Sequence, residues 1–374
     1  MAPGNTSPLD DSAMTLEEAL LHPNRNCGVG FLTQRKMGSG PVVWIDRWFA
    51  SSAADLMDLV REGFPDATLL YSHPAPSVSA RRSADRCFTR VGDGSVEAML
   101  EFAVDHGVDV LIPVRKVKGL LQSRSAFSAK DIALALPTHD VKVAQALRNK
   151  AETYSECEAF GLAPTPKWTV ANSPEALLRA VRAWTEDGVT CCFKPATGEG
   201  ARGFRVVDPK WSPASGFFDW PSDRLASEDV ERILESIDLI PQMLVSDYLP
   251  GFETSIDVAS VDGEPILCVA REKRSATEQR VIIDAEMLHA VREMSRHWQL
   301  HGCWNAQFKK TSDGQPKLLE INPRLAAGSL YAAKAEINFP ALSVSIALGL
   351  TPTIGERSPA GLFRRHESVV WEHA

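Results

Sequence analysis

Between Trp304 and Arg324 the chain reads WNAQFKKTSDGQPKLLEINPR. Two runs of alternating polar and apolar residues flank Asp313-Gly314, a pair that favours a tight hairpin turn because it tolerates positive φ. Side chains alternate faces along a strand, so a two-residue turn centred there sets the register. Gln307 then falls opposite Glu320, and Asn305 opposite Asn322. One face carries Asn305, Gln307, Lys309, Glu320 and Asn322; the other carries Trp304, Ala306, Phe308, Leu319 and Ile321. The apolar face demands a core behind it. The polar face gathers oxygen donors from Gln307, Glu320 and Asn322, a set that suits Mg²⁺, which is commonly held by carboxylates together with substrate phosphates. Arg324, just beyond, suits a phosphate or a developing acyl phosphate. The plain alternative is a solvated hairpin face whose polar groups satisfy one another.

Two further stretches carry chemistry. In FKPATGEGARGF, from Phe193, Lys194 ends a strand and Gly198, Gly200 and Gly203 follow in a short loop. Glycines let backbone N–H groups approach phosphate oxygens, and the lysine adds a point charge. The stretch lacks the GK[ST] of a Walker loop, and a strand rather than a helix follows, so it is no dinucleotide fingerprint. A Gly-rich hairpin without a ligand is the competing reading. In MLVSDYLPGFETSIDV, from Met243, an apolar strand runs through a Pro-Gly turn into another strand opened by Glu253. A linker of this kind can offer backbone groups to an adenine edge, with Glu253 on ribose hydroxyls; on these residues alone an ordinary strand–turn–strand fits better.

The rest of the chain alternates short β-like runs with longer amphipathic ones, the α/β pattern. Strands are expected from Pro41, Ala67 and Val108, and helices over 53–62, 96–106, 128–136, 142–160 and 174–186. The 374 residues allow two or three compact units, and their 44% hydrophobic and 24% charged content is that of a globular protein. The longest apolar stretch, ALSVSIALGL from Ala341, is too short to span a bilayer. A net charge of -8 argues against a general nucleic-acid binder. MAPGNTSPLDDS lacks the basic and apolar regions of a secretory signal and reads as a disordered leader over residues 1–25. Seven scattered cysteines, without CxxC or zinc spacing, point to reduced thiols and a cytoplasmic setting. No histidine stands at HExxH spacing, and His297 with His301 reads as packing or surface.

Together and in this order, the three stretches resemble the ATP-grasp superfamily, in its carbamoyl-phosphate-synthetase-like and carboxylate–amine ligase branch. The resemblance runs from about Val42 to about Leu350 and includes RNKAETYSECEAFGLAPTP from Arg148. It implies an N-terminal open α/β domain over 26–140, then an ATP-grasp fold of mixed α/β and α+β character. Its small lobe would span 141–245, with an inserted loop over 208–225, and its large lobe 246–374 with the metal site. Carried over by position, Lys150 and Lys194 match the lysines on the ATP phosphates, and Gly198, Gly200 and Gly203 the phosphate-covering loop. Asp247, Tyr248 and Leu249 match the adenine-binding linker, Glu253 the ribose-side acid, and Gln307, Glu320 and Asn322 the metal ligands. Arg324 matches the arginine beside the transferred phosphate, and Arg271 a basic residue near the acyl phosphate. Both are implied as catalytic, with Lys194.

Some positions depart from the pattern. Gln307 stands where many relatives have an acid, Ser246 replaces an acid at the start of the linker, and Ala201 replaces a frequent serine. The aromatic stretch from Trp211 to Trp220 is unusually long. The implied activity is ATP-dependent ligation of a small carboxylate, such as an amino acid, to an amine or thiol through an acyl phosphate. ADP and phosphate would be released, with ATP and about two Mg²⁺ ions as cofactors and Mn²⁺ as an expected substitute. A phosphotransferase of the same fold and a nucleotide-binding module without turnover are the alternatives. The implied partners are small molecules, with neither nucleic acid nor membrane, and a homodimer is the assembly the family suggests.

Overall fold

The computed structural model describes residues 40–198, 201–212, 214, 222–275, 278–333, 337–352 and 362–364. The expected leader and most of the Trp211–Trp220 stretch lie outside the described residues, as does Gly200. No helix among the described residues is long and apolar enough to cross a membrane.

The first sheet holds β1 (Val42–Asp46), β2 (Thr68–Ser72), β3 (Arg86–Phe88), β4 (Val110–Pro113) and β5 (Ala133–Leu134). It is parallel throughout, in the order β3-β2-β1-β4-β5. Its central strands β1 and β4 are nearly continuous apolar runs because helices cover both faces. Val43, Ile45 and Leu69 pack with Leu56, Met57 and Val60 of the helix Ala53–Gly63. Trp44, Leu70 and Leu111 pack with Met99 and Ala103 of the helix Val96–Asp105.

Two expected helices differ. Over 128–136, the helix Arg124–Ser128 ends, Asp131 takes φ 57°, and the apolar residues that follow form β5 beside β4. Short buried strands and buried helical turns share one apolar signature, so periodicity alone cannot separate them. The run 142–160 divides into Val141–Ala146 and Lys150–Phe160. Asn149 makes the break, its Oδ1 accepting from Ala151 N at 3.0 Å as an N-cap. Lys150 N then donates to Ala196 O at 2.9 Å, tying the new helix to the glycine-loop strand.

The second sheet holds β6 (Trp168–Ala171), β7 (Cys191–Pro195), β8 (Arg205–Val207), β9 (Arg224–Leu225) and β10 (Met243–Asp247), in the order β6-β10-β7-β8-β9. The helices Pro174–Thr185 and Ser227–Leu234 bury Leu177, Val181, Trp184 and Val230 against it. The third is antiparallel and six-stranded. It comprises β11 (Glu253–Val261), β12 (Glu264–Lys273), β13 (Glu278–Ile282), β14 (Gly302–Lys310), β15 (Pro316–Asn322) and β16 (Leu362–Arg364), in the order β15-β14-β11-β12-β13-β16. One of its faces packs against the helices Ala285–His297 and Lys150–Phe160. The latter helix, which the sequence groups with the small lobe, therefore rests on the third sheet. On the opposite face, Ala259, Leu267, Val269 and Cys303 join the core beneath the first sheet, and the polar residues occupy the remaining end.

The β14–β15 hairpin meets its expected register by a different route. Gly314 takes φ 89°, and Thr311 N donates to Gln315 O at 2.9 Å, so the turn is longer than two residues. Phe308 therefore pairs with Leu318, one position off the expected register. A bulge at Leu319 restores it, and Gln307 still faces Glu320, and Asn305 still faces Asn322. Leu318, rather than Leu319, fills the core. The freed Leu319 carbonyl accepts from the buried Tyr154 hydroxyl at 2.9 Å. Tyr154→Phe deletes that bond and is expected to lower unfolding free energy by about 1 kcal/mol, measured by urea denaturation.

Candidate functional site

The polar end of the third sheet is built from cross-strand rows. Glu320, Gln307, Ser255 and Arg271 lie side by side on β15, β14, β11 and β12. Asn322, Asn305 and Asp257 form the next row, and Lys309, Glu253 and Lys273 another on the opposite flank. Neighbouring strands lie about 4.8 Å apart, so each row is a line of contacting side chains.

Lys150, the first residue of its helix, reaches this face from the side. Its Nζ lies 3.2 Å from Glu320 Oε2 and donates to Gly198 O at 3.1 Å. Lys194, at the end of β7, donates from Nζ to the bulged Leu319 carbonyl at 3.2 Å. Burial pushes the Lys194 ammonium down to about 8; Glu320 opposes the shift and Lys150 adds to it. Asn322 Nδ2 donates to Glu320 Oε1 at 3.3 Å. Lys150, Gly198, Glu320, Asn322 and Arg324 line one cavity, together with Arg148. Gly203, at φ 73°, packs its Cα against the Pro195 ring so closely that a Cβ would stand 3.0 Å from it.

The linker Tyr248–Phe252 joins the second sheet to the third. Its Gly251 has no room for a side chain: a Cβ there would meet Lys310 O at 2.7 Å. The Tyr248 ring lies between the Arg224 guanidinium, 5.5 Å from its centroid, and the Lys309 ammonium, at 5.0 Å. Leu249 is buried. The Asp247 side chain turns away, accepting from Trp184 Nε1 at 2.7 Å and Lys167 N at 3.2 Å, so it ties β10 to its neighbours. Glu253 is ion-paired with Lys273 at the rim.

Arg271 shares the row of Gln307 and Glu320, yet its side chain is fully buried. Its guanidinium pairs with Asp257 Oδ2 at 2.6 Å and also bonds Gln279. Asp257 Oδ1 in turn accepts from Asn305 Nδ2 at 2.8 Å and Ser329 Oγ at 2.6 Å. Gly328 lies directly over the guanidinium: a Cβ there would stand 2.8 Å from Arg271 Nη2. The segment after Arg324 thus roofs this part of the sheet. Arg271 stands under the cleft floor, apart from the cavity shared by Lys150, Glu320 and Arg324.

Sequence reading missed the anchors of this arrangement. Tyr154, Arg224 and the Asp257–Ser329 contact carry no local signal, because each depends on chain segments distant in sequence. Lys309 alone was visible, on the polar face of the hairpin. The donor set of Gln307, Glu320 and Asn322 is all oxygen, and Glu320 already has a cation against it in Lys150. It fits a hard divalent ion that also takes phosphate oxygens.

Residues 239–365 match a family model described as ATP-grasp in the biosynthetic pathway with Ter operon. No curated protein sequence matches the chain. Among solved structures, the N5-carboxyaminoimidazole synthetase of Staphylococcus aureus superposes with a TM-score of 0.60 at 14% identity, over 84% of this chain and 78% of that one. The biotin carboxylase domain of the Hydrogenobacter thermophilus 2-oxoglutarate carboxylase, in complex with MgADP and bicarbonate, gives a TM-score of 0.62 at 12% identity, over 87% and 73%. The L-amino acid ligase of Bacillus licheniformis gives 0.57 at 15%, over 83% and 74%. The fold is the one the three sequence motifs led us to expect.

Two predictions follow from the geometry. Asp257→Asn leaves the buried Arg271 without its counter-charge and should cost about 3–5 kcal/mol of stability, read by denaturant unfolding. The lowered Lys194 pKa means its ammonium is present below about pH 8 and lost above it. If Lys194 holds a phosphate, affinity for the expected ligand ATP should weaken as pH rises through 8, whereas Lys194→Arg, charged throughout, should flatten the profile. Equal slopes in the two proteins would refute the role assigned to Lys194.

Proposed function

We propose that this chain, an ATP-grasp superfamily member, is a ligase that joins a small carboxylate to an amine or thiol at the expense of ATP. The observation that carries the reading is Lys150, whose ammonium joins the Gly198 carbonyl of the glycine loop to Glu320 on the polar sheet face. A nucleotide whose phosphates lie under that loop meets Lys194 from the second sheet, Lys150 from the head of its helix, and three oxygen donors from the third sheet. Tyr248 and Leu249 offer backbone groups to the adenine, and Glu253 faces the ribose.

In the reaction, an oxygen of the substrate carboxylate attacks the γ-phosphorus in line, and the bond to the β-phosphate oxygen breaks. ADP leaves and an acyl phosphate remains. The amine then attacks the acyl carbon, loses a proton and expels phosphate. Charge spreads over the transferring group in the first step, so fixed cations are the main catalytic resource. Lys150 and Lys194 supply them from one side and Arg324 from the other. Gln307, Glu320 and Asn322 would hold Mg²⁺, which when bound neutralises phosphate charge and orients the γ-group; about two ions are expected, with Mn²⁺ as a substitute. Gly198 and Gly203 belong to the stretch proposed to cover the phosphates and keep water from the acyl phosphate; Gly200 lies outside the described residues. Arg271 acts from below, positioning β11 and β14 through Asp257 and Asn305.

The cysteines among the described residues are free thiols, most of them buried, which suits the reducing cytoplasm where we place the protein. A homodimer acting on small molecules is the proposed working unit.

The decisive assay supplies Mg-ATP with pooled amino acids and small carboxylates and resolves ADP, AMP and phosphate. Equal ADP and phosphate, dependent on one pool, is expected. In Glu320→Ala, turnover should fall by about 100-fold or more with the fold retained but less stable, because Lys150 and Lys194 lose the carboxylate that offsets their charges. AMP with pyrophosphate would refute the acyl-phosphate route, and ADP without free phosphate would mean a phosphotransferase.

A further inference from the structure

A second cavity, of about 360 Å³, opens at the carboxyl ends of the first sheet. Each of four neighbouring strands contributes to it: Asp46 and Arg47 end β1, Ser72 and His73 end β2, Arg90 follows β3 and Lys116 follows β4. The strand order reverses its direction of growth between β1 and β4. In open parallel sheets, ligands collect outside the carboxyl ends at such a switch point, where the flanking loops diverge and leave a crevice.

The lining is unusually rich in donors. Arg47, Arg90 and Lys116 make no ion pair with a carboxylate among the described residues, in a chain of net charge -8. The Arg90 Nε is oriented by a 2.7 Å bond to Gly92 O, which leaves its terminal nitrogens. Lys116 Nζ hangs over Gly94, 3.8 Å from where a Cβ would stand. Ala75 N donates to His73 Nδ1 at 3.0 Å, so the His73 proton sits on Nε2 and makes that atom another donor. Of the two acids in the wall, Asp93 is engaged by Ser95 N at 2.7 Å. Asp46 is held by Ser72 Oγ at 2.6 Å, itself fixed by Trp44 Nε1 at 2.8 Å.

The backbone is also held in a costly state there. Arg47 at φ 56° and Lys116 at φ 59° are left-handed, a conformation that side chains other than glycine adopt reluctantly. Arg47 N is pinned to Ser72 O at 2.8 Å. The position relative to the nucleotide cleft completes the picture. Val114 and Val117 line the cavity that contains Lys150 and Glu320, while Lys116 between them lines this one. A single short segment separates the two spaces.

We infer that this cavity is the subsite for the second substrate, a small molecule with a compact oxyanion, carboxylate or phosphate, and an ammonium or hydroxyl donor. The oxyanion meets Arg47, Arg90 and Lys116; the donor meets Asp46. The role as acceptor subsite rests on the ligase reading, whereas binding of the anion does not.

The test is calorimetric titration of the full chain with two probes at constant ionic strength, O-phosphoserine and aspartate, with Mg-ATP titrated separately into each preparation. Saturable binding of either probe is expected, weakened about tenfold or more by Arg47→Gln and by Lys116→Gln, with Mg-ATP affinity unchanged. The tighter probe identifies phosphate or carboxylate as the recognised group. No saturable binding of either probe, or binding that both variants leave within about twofold, overturns the inference. Probe binding that survives in a protein that does not bind Mg-ATP would sink the ligase reading while leaving the anion site standing.

Discussion

One backbone carbonyl joins the two halves of the candidate cleft. Leu319 O accepts from Lys194 on the second sheet and from Tyr154 on the helix beneath the third, while Leu319 itself belongs to the third sheet. In a regular hairpin that carbonyl would be directed along the sheet ladder. The bulge releases it, and a neutral dipole acquires a buried ammonium as partner. The placement of Lys194, and through it the glycine loop that follows β7, depends on this local irregularity.

Electrostatics at the cleft is a balance among three groups. Lys150 and Lys194 lie near enough to destabilise one another, and burial disfavours the charge on Lys194. Glu320 offsets both effects from the opposite sheet. Below this arrangement, which lines a cavity, lies a closed one. Arg271, Asp257, Asn305 and Ser329 satisfy each other in the interior, where an unpaired charge would be far more costly than at the rim. Two neighbouring polar clusters on one sheet face therefore do different work: the one that lines the cavity is available to ligands, and the roofed one holds the strands in place.

Much of this was legible in the chain. Polar and apolar alternation around Asp313-Gly314 was sufficient to bring Gln307, Glu320 and Asn322 together, and apolar runs announced the parallel sheet. The failures share a cause. The turn was misjudged by one residue, and only the compensating bulge, set by the contacts of Leu319 with Tyr154 and Lys194, restored the register. Residues 128–136 looked helical because a two-residue, partly buried edge strand is too short to show a period of its own. Arg271 looked available because nothing in its vicinity in sequence reveals that Gly328 and Ser329 fold back over it. The ring of Arg47, Arg90 and Lys116 is assembled from the ends of three strands, and sequence proximity does not show such a grouping.

The bulge at Leu319 has a consequence for how such a hairpin can change over time. It divides the hairpin into two stretches with different registers, one fixed by the turn and the other by the site. The loop from Thr311 to Gln315 is largely exposed and lies wholly on the turn side. Length variation there alters the first stretch and need not be transmitted to Gln307, Glu320 and Asn322, because the irregularity acts as an expansion joint. A perfectly regular ladder would pass every single-residue insertion on to the carboxylate and turn it to the wrong side of the sheet.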